Sequence, residues 1–186
     1  MRVFFLMEII FKVATEPDEF EKIHRLNYQT FVEEIPQHET NPEGRLVDKF
    51  HDENTYFIAL DEDELVGMIC VRDQRPFSLD YKLEDLDSYL PPHKSICELR
   101  LLAIAKHHRS PHIFQGVMRA LYDYCDLKGY DLGIMSGTTK QARLYKHLGF
   151  VPFGPLVGKG EILFQPMYLT FEAYRRLKEE TRTFAD

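Results

Sequence analysis

With 186 residues, 44% of them apolar and 13% aromatic, the chain has enough apolar material for one packed domain of enzyme size. A formal charge of −7 argues against a whole-protein field that gathers nucleic acid, and no apolar run reaches the roughly 18 residues of a membrane span. Cys70, Cys97 and Cys125 each sit inside an apolar pattern without a histidine at ligand spacing, which argues against a disulfide framework and a zinc site.

The N-terminal run Met-Arg-Val-Phe-Phe-Leu-Met is unlike a signal peptide, because Glu8 interrupts it and no small-residue cleavage site follows. Met7 would serve equally well as a start. Residues 1–8 are therefore read as an N-terminal extension or start-site artefact and 9–182 as the domain, with the free thiols placing the protein in a reducing, cytoplasmic setting. Glu8–Ala14 reads as a first strand. Thr15–Asp18 is a capping turn with Pro17 at the helix start, and Phe20, Ile23, Leu26, Tyr28 and Phe31 carry a helical face to about Val32. The polar stretch Glu33–Asn54, broken by Pro36 and Pro42, is long for a connector and suits an active-site loop.

Thr55–Leu60 and Leu65–Val71 read as a hairpin around the acidic turn Asp61–Glu64. Arg72–Lys94 is irregular, with a short helix near Leu83–Leu90. In the next strand, Ser95–Ala105, the apolar Leu99, Leu101, Leu102 and Ile104 break strict alternation, the mark of a bulge or of burial on both faces. After the basic turn Lys106–Arg109 with His112, the stripe Phe114, Val117, Met118, Leu121 and Cys125 reads as a helix ending at Lys128–Gly129. The histidines of that turn have no carboxylate at fixed spacing, so no metal is expected there. Tyr130–Met135 is a strand, and a short helix ends at Gly149, a left-handed cap. Strands near Phe150 and over Ile162–Thr170 follow, and a helix over Phe171–Thr181 closes the chain. Crossovers and a hairpin together predict a mixed sheet.

The segment from Gly137 to Phe150 delivers Tyr145 one turn before a Gly-Phe stop. A phenol held there could protonate a leaving group, as acyl transfer from a thioester requires; as a core aromatic it would do nothing chemical. Glu98, if buried, suits a base that takes the proton of an amine, or else pairs with Arg100. Arg25 and Arg100 could hold an acceptor carboxylate as a bidentate pair, with surface ion pairing the competing explanation. Glu34 is among the acidic residues that could meet an ammonium group, and Arg109 with Ser110 at a helix entrance suits a phosphate.

The order strand, basic turn, helix, strand, and a helix ending Ala142-Arg-Leu-Tyr-Lys-His-Leu-Gly-Phe150 resembles the Gcn5-related N-acetyltransferase (GNAT) superfamily over about residues 9–170, with the motifs confined to 97–153. The resemblance implies an α/β single-domain GNAT-like fold, a mixed twisted sheet of about seven strands with helices on both faces. It also implies that the backbone of Leu102, Ala103 and Ile104 binds a pantetheine arm. Arg109, Ser110, His112 and Phe114 would lie at the phosphate turn, where the superfamily usually has small residues in place of His112 and Phe114. Arg25–Glu34, Asp48–Asp52, Tyr56–Leu60 and Cys97–Leu101 are similar to the acyl-homoserine-lactone synthases and N-acyl amino acid synthases. Those enzymes take acyl groups from acyl carrier protein, whose phosphopantetheine lacks the adenosine pyrophosphate.

An N-acyltransferase is therefore expected, moving an acyl group from acyl carrier protein or acyl-CoA to a primary amine such as that of an amino acid, without metal. Two other readings stay open, an acetyl-CoA-dependent small-molecule N-acetyltransferase and a non-catalytic acyl-thioester-binding domain. Acceptor, acyl length and oligomeric state are not legible.

Overall fold

Glu19 sets the start of the first helix, α1 (Pro17–Tyr28). Its buried carboxylate accepts the N–H groups of Thr15 and Glu16 at 2.8 and 3.1 Å and meets Lys12 Nζ at 2.6 Å. The N-cap N–H of Glu16, one of the donors that a helix start leaves unpaired, is thus satisfied, and Pro17 has none to satisfy. In this computed structural model residues 8–160, 162–172 and 174–176 are described; the expected N-terminal extension and the end of the closing helix fall largely outside them. The hydrogen-bonded strand order is β1-β2-β3-β4-β5-β8-β6, with β7 paired to β8. This mixed sheet has eight strands, where about seven were expected. The chain gathers into two compact units, residues 1–71 with 101–124 and residues 72–100 with 125–186.

In the first unit β1 (Ile10–Val13), β2 (Thr55–Asp61) and β3 (Glu64–Arg72, its last residue in the second unit) form an antiparallel meander, with Phe57 opposite both Val13 and Ile69. The acidic hairpin turn is as expected. Ile23 and Leu26 of α1 pack with Tyr56, Ile58, Met68, Cys70 and Ala103. Gly116 of α2 (Pro111–Lys128) lets that helix approach β1, since a Cβ there would fall 2.1 Å from the Phe11 ring. The helix expected to reach Val32 instead widens after Tyr28 into a π-helical turn, Gln29–Glu34, where Ile35 N–H reaches Thr30 O at 2.9 Å. Residues 36–54 do not hang free. Leu46 N–H bonds to His24 O at 2.9 Å and Tyr28 Oη to Asn41 O at 3.2 Å, and His51–Glu53 forms a short 3-10 turn.

β4 (Ile96–Ile104) passes from the second unit to the first between Arg100 and Leu101. The broken alternation there has a backbone cause. Leu101 has φ of 56°, a left-handed conformation that disfavours a branched side chain.

In the second unit β4 and β5 (Leu132–Thr138) run parallel, pairing Ile96 with Leu132, Cys97 with Gly133 and Glu98 with Ile134. β5 pairs along its other edge with β8 (Ile162–Thr170) over its full length, from Leu132–Thr170 to Thr138–Phe164. The core gathers Phe77, Leu79, Leu86, Leu132, Ile134, Phe153 and Val157. Residues 130 and 131, expected in the strand, serve as anchors instead: Tyr130 Oη donates to Asp73 at 2.6 Å, and Asp131 accepts the N–H groups of Lys94 and Ser95 at 2.7 and 2.9 Å. The short helix near Leu83–Leu90 is a 3-10 turn, Leu86–Tyr89. α3 (Ala142–His147) closes with Phe150 N–H on Tyr145 O and Gly149 N–H on Lys146 O, both at 3.0 Å, around Gly149 at φ of 90°. The strand expected near Phe150 is only β6 (Val151–Pro152), and β7 (Val157–Lys159) was not foreseen. Burial pushes the Cys97 thiol well up, helped by the adjacent Cys125. Among the described residues no helix is long and apolar enough to cross a membrane.

Candidate functional site

In the second unit the β4–β5 ladder covers only Ile96–Glu98 against Leu132–Ile134, while β5 continues to Thr138. The edge of Met135–Thr138 that does not face β8 therefore carries backbone groups outside any ladder. Tyr145 from α3 lies against one face of that stretch. Its ring packs on Gly137 so closely that a Cβ there would fall 2.5 Å from Cε2, and its hydroxyl donates to Gln141 Oε1 at 2.8 Å. The ring meets Phe150 edge-on at 6.1 Å. Burial pushes the Tyr145 phenol up to about 12, so it keeps its proton at any physiological pH.

Glu98 approaches the same strand from the other side. Its ladder partner Ile134 and residue Gly137 lie three apart on β5, so strand alternation puts Glu98 and Tyr145 on opposite faces. Both Glu98 oxygens are engaged: Oε2 accepts Ser78 N–H at 3.0 Å and lies 3.4 Å from Arg100 Nε, and Oε1 accepts the Ser78 hydroxyl in a short hydrogen bond. Arg100 is thus tied to Glu98, and the expectation that it holds an acceptor carboxylate requires it to do both.

In the first unit the phosphate turn is largely occupied by its own groups. Arg109 donates to a Glu34 carboxylate oxygen in a short bond and through Nε to Ile104 O at 3.2 Å. Glu34, expected near an ammonium group, is therefore the counter-ion of Arg109. Ser110 Oγ accepts Ile113 N–H at 3.4 Å, and Pro111 brings no N–H to the first turn of α2. His112 packs edge-on against Phe11 at 5.6 Å, and Phe114 is half-buried. Leu102 and Ile104 are half-buried and Ala103 is buried. Arg25 lies on the exposed side of α1, whose buried side carries His24 and Asn27.

Reading the sequence missed Ser78, Gln141 and a polar cluster at residues 24–56. Ser78 belongs to a stretch without any motif, and Gln141, although inside the Gly137–Phe150 segment and one helical turn before Tyr145, was given no role of its own. In the cluster, His24 lies between Arg45 Nη2 at 3.0 Å and His51 Nδ1 at 3.5 Å, and His51 reaches Tyr56 Oη at 3.2 Å. Burial, then the neighbouring His51 and Arg45, hold His24 below the usual histidine value. Among the described residues no group of three or more His, Cys, Asp or Glu is placed to hold a metal ion.

No curated protein matches the chain by sequence. In structure the chain is similar to a CoA-dependent acyl-homoserine lactone synthase, BjaI, solved with SAM and isopentyl-CoA (TM-score 0.74, 20% identity, 88% of this chain and 84% of that one). It is similar to FeeM, an N-acyl amino acid synthase from uncultured soil microbes (TM-score 0.69, 17% identity, 91% and 94%). It is also similar to a protein described as an N-acetyltransferase from Lactobacillus plantarum (TM-score 0.65, 13% identity, 88% and 98%). These likenesses establish the GNAT-like fold. A family model for the N-acyl amino acid synthase FeeM matches residues 22–174. The chain is an acyltransferase and belongs to the family of the N-acyl amino acid synthase FeeM.

Proposed function

We propose that this chain transfers an acyl group from a pantetheine thioester to the primary amine of an amino acid by direct attack. One observation carries the reading: beyond the end of its ladder with β4, β5 has a phenol that keeps its proton on one face, and the last ladder pair, Glu98 with Ile134, puts a carboxylate on the other face. A thioester lying along Met135–Thr138 would meet backbone donors for its carbonyl oxygen, as a tetrahedral intermediate needs. The amine attacks from the Glu98 face, and its proton ends on that carboxylate. Sulfur departs toward the other face and takes the Tyr145 proton. No covalent enzyme intermediate is required, and the free thiols are buried away from such a role. Buried free thiols also suit the reducing cytoplasm.

The donor we assign is acyl carrier protein rather than CoA. A pyrophosphate at the start of α2 would need Arg109 to leave Glu34, and it would find Pro111 without an N–H and Ile113 N–H already given to Ser110. A phosphopantetheine arm without adenosine pyrophosphate makes no such demand. Native mass spectrometry with acetyl-CoA, decanoyl-CoA and decanoyl carrier protein side by side tests the assignment. Preferential binding of the carrier protein supports it, and preferential binding of acetyl-CoA would replace it with the small-molecule acetyltransferase reading.

A further inference from the structure

Glu98 is 1% exposed, so an amine in solution cannot touch it directly. Ser78, bonded to that carboxylate, is half-buried and so more exposed than Glu98 itself. Its N–H and its hydroxyl donate to the two oxygens of the same carboxylate, and Arg100 meets Oε2 from elsewhere on β4. Having given its single O–H to Glu98, Ser78 Oγ keeps its lone pairs for an outside N–H. The segment holding Ser78 is braced independently of Glu98. Phe77 and Leu79 on either side are fully buried, Phe77 N–H donates to Asp80 at 2.6 Å, and Arg75 bridges Asp80 and Asp87.

We propose that Ser78 is a catalytic residue that relays the proton of the amine to Glu98; this rests on the reading of the chain as an acyltransferase acting on an amine. As the amine nitrogen bonds to the thioester carbonyl carbon, its proton passes to Ser78 Oγ while the Ser78 proton passes to Glu98 Oε1. The C–S bond breaks with its electron pair on sulfur, which takes the phenolic proton of Tyr145. The products are a neutral amide, a free thiol, a protonated Glu98 and a Tyr145 phenolate. Glu98 then returns its proton outward through Ser78 to solvent, and Tyr145 regains one from solvent, which restores the resting state.

Steady-state kinetics decide it, using decanoyl carrier protein and decanoyl-CoA as donors and the amino acid that the wild type acylates fastest. Ser78→Ala should lower kcat by about 10²-fold with the donor KM little changed. Ser78→Thr, which keeps the hydroxyl, should stay within about tenfold of wild type, and Ser78→Ala should add nothing further in a Glu98→Gln background. If the alanine variant fails to fold, Ser78→Gly, which also lacks the hydroxyl, takes its place and should show the same loss. A full kcat in Ser78→Ala, a threonine variant no faster than alanine, or losses that multiply in the double variant would overturn the relay and leave the acyltransferase reading standing. A wild type that acylates no amino acid from either donor would overturn both.

Discussion

Replacing Tyr145 with phenylalanine removes one oxygen and leaves the ring on Gly137. The lost hydrogen bond to Gln141, 2.8 Å long, is with an exposed side chain that can turn to water, so the stability cost should be about 0.5–1.5 kcal/mol. If the phenol protonates the leaving thiolate, kcat should nevertheless fall by about 10²-fold, equivalent to about 2.7 kcal/mol of barrier, with the donor KM little changed. Tyr145→Ala leaves a cavity between Gly137 and Phe150 and should cost about 3–5 kcal/mol of stability. Because the phenol is held near 12, its ionisation should cause no fall in wild-type rate below about pH 11. Thiol release followed with a disulfide reagent gives the rates, and thermal unfolding gives the stabilities. Tyr145→Phe at full kcat would refute the proton-donor role, leaving the ring as packing alone.

Gly137→Ala would put a Cβ 2.5 Å from the Tyr145 ring; kcat should fall by about tenfold or more while the fold persists, and an unchanged kcat would show that the ring position does not matter. If Arg109 does contact a donor phosphate it must leave Glu34 to do so. The assigned carrier-protein donor makes no such demand, so Arg109→Ala and Glu34→Gln should leave its KM little changed, whereas a KM raised about tenfold in Arg109→Ala would place a donor phosphate at this turn. Glu19 is held below its usual value: burial pushes it up, but the Lys12 ion pair and the N–H groups of Thr15 and Glu16 outweigh that. A depressed carboxyl contributes stability above its unfolded value near 4.5 and loses it as pH falls through the folded value. Glu19→Gln should therefore be less stable than wild type at pH 7, by about 1 kcal/mol, with the gap closing below about pH 4.5 in unfolding titrations; a gap independent of pH would contradict this.

The sheet was largely legible because its strands carry strong periodic or uniformly apolar patterns between turn residues, as in Thr55–Leu60 and Leu65–Val71 around an acidic turn. The Gly149 cap was legible too, since Schellman closure at φ of 90° favours glycine. The π-helical turn was not, because Phe31 and Val32 are both apolar and their spacing does not separate four-residue from five-residue hydrogen bonding. Tyr130 and Asp131 continued a strand pattern yet serve as anchors, a choice made by partners distant in sequence. The same limit governs the site. Glu98 stood out because it interrupts an apolar strand and Tyr145 because it comes one turn before a Gly-Phe stop, whereas Ser78 becomes meaningful only once the fold brings it to Glu98, 20 residues away. Arg109 and Glu34, 75 residues apart, looked like two separate ligand contacts and are one ion pair.

Mass spectrometry of the purified protein incubated with decanoyl carrier protein, decanoyl-CoA and a pool of the common amino acids is the most direct measurement of the central claim. The account predicts N-decanoyl amino acid products, formed faster from the carrier protein than from CoA, and strongly reduced in Tyr145→Phe. Thioester donors that bind but yield no acylated amine, with wild type and Tyr145→Phe alike, would contradict it.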